Sequence, residues 1–185
     1  MSINIFMLLE KFLIPLPQQE LEILSNAIIN FPNLIDENKD TLYYKNSHGY
    51  SNIDDTLNYV SMIEKLVLPL VNRAVKFSHT YSRIYRNGSY LSPHTDRPGL
   101  DLTLSLCVRK DTKQSWPLNV STIPHEGLWV SNANIEKYKS NFLSIDLEPG
   151  QAGLMEGTKY PHWRNKIVCD PDDKNIYIFY HWSYV

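Results

Sequence analysis

Cysteine is nearly absent from this chain: it has two, Cys107 and Cys169. That excludes a disulfide framework, and two isolated cysteines do not make a zinc cluster. Cys107 lies in an alternating apolar run and reads as a buried free thiol. A reducing, cytoplasmic setting is the expectation. An excess of either charge is also missing. With 18 Lys+Arg against 20 Asp+Glu the net charge is -2, which leaves no basic footprint for nucleic acid. No apolar run reaches the roughly 20 residues of a membrane-spanning helix. The opening MSINIFMLLEKFLIPLPQQE is apolar, but it lacks a basic leader region and is cut by Glu10 and Lys11. It reads as a first strand and loop, not as a signal peptide. There is no internal repeat and no low-complexity tract. Nothing in the composition speaks to oligomeric state.

What is present is a chain of 185 residues with twelve Tyr, six Phe and four Trp. The length suits one domain with a core and not comfortably two, and the aromatics suit a β-rich core or a stacking pocket. Residues 18–31, QQELEILSNAIINF, carry Leu21, Leu24, Ile28 and Phe31 at helical spacing, and Pro32 ends the run. LYYKNSHGYSN reads as a polar, aromatic loop. IDDTLNYVSMIEKLVLPLVNRAVKF predicts the strongest helix, with Leu57, Val60, Ile63, Val67, Leu70 and Ala74 on one stripe, Asn52 as cap and a kink at Pro69.

After residue 78 the period changes to two. DLTLSLCVR places Leu102, Leu104, Leu106 and Val108 on one face, and FLSIDL, QAGLMEG, YPHWRNKIV and NIYIFYHWSYV follow as further strands. With no helices between them the strands should pair antiparallel. This predicts an α+β chain with a sandwich or barrel. The expected organisation is a single domain over 1–185, with 1–77 mainly helical support and 78–185 the barrel core.

Among these strands lies YRNGSYLSPHTDRPG, residues 85–99. On an extended segment His94 and Asp96 point the same way, so both can reach one ion. A third ligand must come from another strand, and His162 in YPHWRN is the best-placed candidate. Two His and one carboxylate occupy one face of an octahedral ion and leave the other positions open, which suits non-haem Fe(II) and oxygen chemistry. A structural zinc would close all four positions. H-x-D alone is a weak signal, equally at home in a polar surface loop. The remaining histidines read as solvated loop residues (His48, His125) or as structural strand residues (His79, His181).

The wider context is more specific. YRNGSYLSPHTD resembles the iron-site segment of prolyl-4-hydroxylase-type Fe(II)/2-oxoglutarate dioxygenases through Tyr85, Gly88, Tyr90, Pro93, His94 and Asp96. GQAGLMEGTKYPHWRNKI is similar to that family's second half, with a distal histidine, here His162, 68 residues after His94. The resemblance covers roughly residues 79–184 and implies a double-stranded β-helix, or jelly-roll barrel, with N-terminal helices packed on it. It implies Fe(II) held by His94, Asp96 and His162, with 2-oxoglutarate as cosubstrate and O2, and ascorbate as an optional addition. The implied reaction hydroxylates an unactivated C–H of an amino-acid-type substrate, a small molecule or a peptide, with proline in a peptide as one case. 2-Oxoglutarate would leave as succinate and CO2.

The far carboxylate of 2-oxoglutarate needs a cation, because an unpaired buried carboxylate is costly. The family places a Lys or Arg about ten residues after the distal histidine, but position 172 is Asp172. Arg164, two residues after His162 on the same strand face, is the favoured replacement, and Lys174 in DPDDKN is the alternative. Tyr85 would add a hydroxyl. Substrate-lining candidates are Arg97, Tyr90, Trp116, Tyr43, Tyr44 and Trp129, the tryptophans reading equally as packing residues. DTKQSWPLNV lacks the glycine pair usual before the corresponding prolyl-hydroxylase strand. Two readings from other classes stand beside this one: a cupin-like metal-binding barrel without oxygenase activity, and a non-catalytic β-sandwich module.

Overall fold

The structure, a computed structural model, describes residues 10–36, 44–127 and 135–185. In chain order it contains β1 (Glu10–Leu13), α1 (Gln18–Ile29), β2 (Ile35–Asp36), β3 (Tyr44–Ser51), α2 (Asp54–Leu57) and α3 (Val60–Val67). A 3-10 turn at Leu68–Leu70 leads to β4 (Val75–His94), β5 (Leu102–Lys110), β6 (Leu118–Ser121), α4 (Ile135–Lys139), β7 (Phe142–Ile145), β8 (Gln151–Met155), β9 (His162–Arg164) and β10 (Asn175–Tyr184). The pairing order is β1-β8-β5-β10-β4-β9-β6-β7, with β3 also paired to β4 and to β2. Every pairing is antiparallel.

The long strand β4 makes this sheet a barrel. Its first part, Val75 to Tyr85, runs along β10, and its last part, Leu91 to His94, runs along β9. One strand therefore serves both sheets of a nearly closed jelly roll. Gly88 between the two parts has φ +80°, and a Cβ there would lie 2.9 Å from the Asn46 amide nitrogen. Both the backbone angle and the close approach favour glycine.

β5 shows how the core divides. Leu102, Leu104, Leu106 and Val108 share one apolar cluster with Leu24 and Ile28 of α1 and Ile63 and Val67 of α3. Full burial contributes about 1.5–3 kcal/mol for each such leucine. The alternate residues face the other way. Thr103 lines a cavity inside the barrel, and Cys107 joins a second cluster with Tyr85, Trp116, Leu118, Met155 and Tyr177.

Three expectations change. LYYKNSHGYSN is not a loop: residues 44–51 form β3, whose inward positions are Ser47 and Gly49. A Cβ on Gly49 would lie 2.4 Å from the Tyr81 hydroxyl, so glycine makes room for that ring. The long helix is instead α2, α3 and a 3-10 turn, and Leu70 and Ala74 at the end of its stripe are exposed. Pro69 falls in the 3-10 turn, where its missing N–H ends the regular helix. Asn52 does not cap a helix. It has φ +53°, and its side-chain oxygen accepts the Thr80 N–H at 3.0 Å, tying β3 to β4. The first 77 residues thus hold β1, β2, β3 and the start of β4 as well as helices. Among the described residues no helix is long and apolar enough to cross a membrane.

Candidate metal and cosubstrate site

β4 ends at His94 and β9 begins at His162, and the two are direct partners across the antiparallel ladder. Asp96 follows two residues after His94, and its backbone N–H donates to the Gly157 carbonyl at 2.8 Å. Gly157 has no Cβ, and none would fit: it would lie 1.9 Å from Asp96 Oδ2 and 2.8 Å from Thr103 Oγ1. The carboxylate therefore sits in a cradle that only glycine leaves open.

One ligand atom from each of His94, Asp96 and His162 falls within 4.8 Å of the others, and His162 Nε2 is 3.6 Å from Asp96 Oδ1. The ring nitrogens are sorted by the backbone. His94 Nδ1–H donates to the Ser92 carbonyl at 2.7 Å, and His162 Nδ1–H to the Tyr160 carbonyl at 3.1 Å. A carbonyl only accepts, so each ring carries its proton on Nδ1 and keeps Nε2 as a lone-pair donor. Burial lowers the pKa of His162 to about 4, and the Arg164 charge pushes the same way. Burial and the neighbouring His162 also hold the His94 pKa well below the ordinary range. Neutral imidazoles, one carboxylate and open space beyond them make a donor set fit for a divalent ion.

The open space is a cavity of about 430 Å³ inside the barrel, which the triad lines together with Arg83, Arg97, Thr103, Leu118, Phe179 and His181. Of the sequence-predicted residues, Arg97 is exposed on this cavity's wall. Arg164 is 1 % exposed and faces inward as His162 does. It is not part of the wall itself, but its cross-strand partner Leu91 is. Its guanidinium lies 4.2 Å over the Tyr177 ring and 4.8 Å over the Trp116 ring. Nη1 donates to the Trp116 carbonyl at 2.7 Å, while Nε and Nη2 are buried with no hydrogen-bond partner. Tyr85, fully buried, stands beside this group with its ring edge-on to Trp116.

The structure separates the other candidates from the site. Lys174 extends along an exposed turn and donates to the Asp172 carbonyl at 2.9 Å. Trp116 is a core residue whose indole N–H donates to the Asn165 carbonyl at 2.7 Å, and it forms the floor under Arg164 rather than a cavity wall. Tyr90 lies on β4 opposite Lys45, away from the cavity lining. Tyr43 and Trp129 fall outside the described residues, as does the side chain of Tyr44. His48 is on β3, not in a loop, and His125 shares a 2.8 Å hydrogen bond with the Tyr138 hydroxyl.

Sequence reading missed Arg83, Thr103, Gly157 and the place of His181 on the cavity wall. Arg83 carried no motif. Thr103 and His181 become visible only once β5 and β10 are placed against the H-x-D turn, and Gly157 only once the turn after β8 is placed there too.

No protein-family model and no curated protein matches this chain. Solved structures match it in fold. A prolyl-4-hydroxylase of Pseudomonas putida superposes with a TM-score of 0.66 at 10% identity, over 95% of this chain and 91% of that one. HygX of Streptomyces hygroscopicus, crystallised with nickel and 2-oxoglutarate, gives 0.66 at 9% identity over 95% and 82%. The epimerase SnoN, in complex with Fe3+, alpha ketoglutarate and nogalamycin RO, gives 0.74 at 12% identity over 95% and 78%. This chain has the prolyl-4-hydroxylase-like jelly-roll fold that those proteins share.

Proposed function

We propose that this protein is an Fe(II)- and 2-oxoglutarate-dependent oxygenase whose metal ligands are His94, Asp96 and His162. The observation that carries the reading is the convergence of one ring nitrogen from each histidine and one carboxylate oxygen within 4.8 Å at the wall of a barrel cavity. When bound, iron and 2-oxoglutarate supply O2 activation: one oxygen atom goes to a substrate C–H and the other into succinate, with release of CO2.

The chain's own residues have three tasks in this scheme. His94, Asp96 and His162 would hold the ion and leave its remaining positions to the cosubstrate and O2. Arg164 receives the far carboxylate of 2-oxoglutarate, with Tyr85 beside it. Its two buried donors without partners support this role, because each costs roughly 1–3 kcal/mol until an acceptor arrives. The rise from His162 to Arg164 is roughly 6.6–6.8 Å, about the length of the cosubstrate skeleton. Phe179 and Leu118 give the cavity apolar wall against which a substrate C–H would pack.

The substrate in this reading is an amino-acid-type molecule, free or within a peptide, with Arg97 at the wall to meet a carboxylate. The structures that share the fold are crystallised with compounds as unlike as hygromycin B and nogalamycin RO, so fold carries no choice of proline. The test is succinate formation by the Fe(II)-loaded protein over a panel of free amino acids and prolyl peptides. Succinate that requires both O2 and 2-oxoglutarate and rises with one panel member supports the proposal. No succinate from any member, with metal bound, contradicts it.

A further inference from the structure

His181 is a buried histidine that the scheme above does not use. It stands on β10 directly opposite Thr103 of β5, and both are almost fully buried on the cavity wall. Thr103 Oγ1 lies 2.6 Å from Asp96 Oδ2 and 3.0 Å from His181 Nδ1. These contacts fix every proton. The Asp96 carboxylate can only accept, so the single Thr103 hydroxyl proton points to it. Thr103 Oγ1 must then accept in its turn, so His181 carries its proton on Nδ1.

We propose that Thr103 and His181 form a two-step hydrogen-bond relay that positions Asp96, reserving Oδ2 for the protein and Oδ1 for the metal. The inference rests on the metal-site reading. Three further facts favour it. Asp96 Oδ1, the oxygen Thr103 does not bind, is the one that faces His162 Nε2 at 3.6 Å. Gly157 closes the Oδ2 side, since even a methyl group would overlap that oxygen. Thr103 and His181 are both buried, so bulk water does not compete for the two hydrogen bonds. The relay therefore makes Asp96 a one-oxygen ligand with a set orientation, where a free carboxylate could rotate or chelate with both oxygens. A ligand held in this way binds metal more tightly, and losing such an outer partner typically costs about 10–100-fold in metal affinity.

The experiment uses the whole protein with Co(II) alone, reading its visible ligand-field spectrum and dissociation constant without cosubstrate or substrate. Thr103→Val and His181→Phe should each weaken Co(II) binding at least about tenfold and change the spectrum. Thr103→Ser keeps the hydroxyl and His181→Asn keeps an N–H donor, and both should stay near wild type. The double variant Thr103→Val/His181→Phe should be no worse than Thr103→Val, because His181 acts only through Thr103. Thermal melts check that all variants fold, and the two conservative variants keep the test meaningful if an apolar one does not. Wild-type affinity and spectrum in Thr103→Val overturn the relay, as do equal losses in His181→Asn and His181→Phe or additive losses in the double variant. If wild type binds no Co(II), the metal-site reading falls and the relay with it.

Discussion

The guanidinium of Arg164 on β9 lies 4.2 Å over the ring of Tyr177 on β10. β10 is the strand after the distal histidine, where the family resemblance places a Lys or Arg, and here an aromatic residue of that strand carries a cation sent across from β9. Truncating Arg164 to Ala should weaken 2-oxoglutarate binding by on the order of 2–5 kcal/mol, or roughly 30- to 4,000-fold, while leaving metal affinity near wild type. Lys174→Ala should change neither, since its ammonium is held in an exposed turn. Anaerobic titration of 2-oxoglutarate into the Fe(II) protein measures both. An unchanged Arg164→Ala together with a weakened Arg83→Gln would move the anchor to Arg83.

Gly157 tests the cradle. Its φ lies outside the left-handed region, so alanine is acceptable to the backbone. The added methyl group instead collides with Asp96 Oδ2. Gly157→Ala should fold and lose about 100-fold or more in metal affinity, beyond the effect of an outer partner. Equal metal affinity in the variant would mean that Asp96 does not need its position in the structure to bind.

Acid should destabilise the metal-free protein in a defined window. His162 and His181 are lowered to about 4 by burial, and His94 is lowered too. In the unfolded chain all three titrate near 6.5. Between pH 6.5 and about 4 the unfolded state therefore binds protons that the folded state refuses, and stability falls as pH falls. The full effect is on the order of 3 kcal/mol per histidine, present above pH 6.5 and spent near pH 4. Urea midpoints at pH 7, 6 and 5 in the presence of a chelator measure it. A midpoint that holds or rises on acidification would show these rings to be solvated.

The two thiols should behave differently. Burial pushes Cys107 up to about 12, and it has no exposed surface, while Cys169 is half-buried. A thiol reagent near neutral pH should count one cysteine in the native protein and two in denaturant. Two reactive thiols in the native protein would contradict the placement of Cys107 inside the barrel.

Much of the site was legible because its chemistry lies in period-two text. Strand spacing puts His94 and Asp96 on one side and offers His162 as a third ligand, the family resemblance joins the three into a candidate triad, and Arg164 is a candidate because it shares a strand face with His162. The partners of Asp96 could not be picked in this way. Thr103 reads as one polar residue in a strand whose leucines draw attention, and His181 lies 78 residues away from it. Only the β5–β10 register brings them together. β3 was illegible for a related reason: its buried positions are Ser47 and Gly49, so it shows no apolar alternation. The helical stripe after Asn52 is longer in the sequence than in the structure, because its apolar spacing runs on to Leu70 and Ala74 while the regular helix ends at Val67 and Pro69 stands in the 3-10 turn beyond it.

The most direct test of the central claim is an anaerobic Fe(II) titration with and without 2-oxoglutarate, watching for the visible charge-transfer band of the chelate. Wild type should develop the band only with both components present, and His94→Ala should not. Iron binding without a band would contradict the cosubstrate and point to a cupin-like metal protein. No iron binding at all would contradict the metal site and return the H-x-D turn to a polar loop.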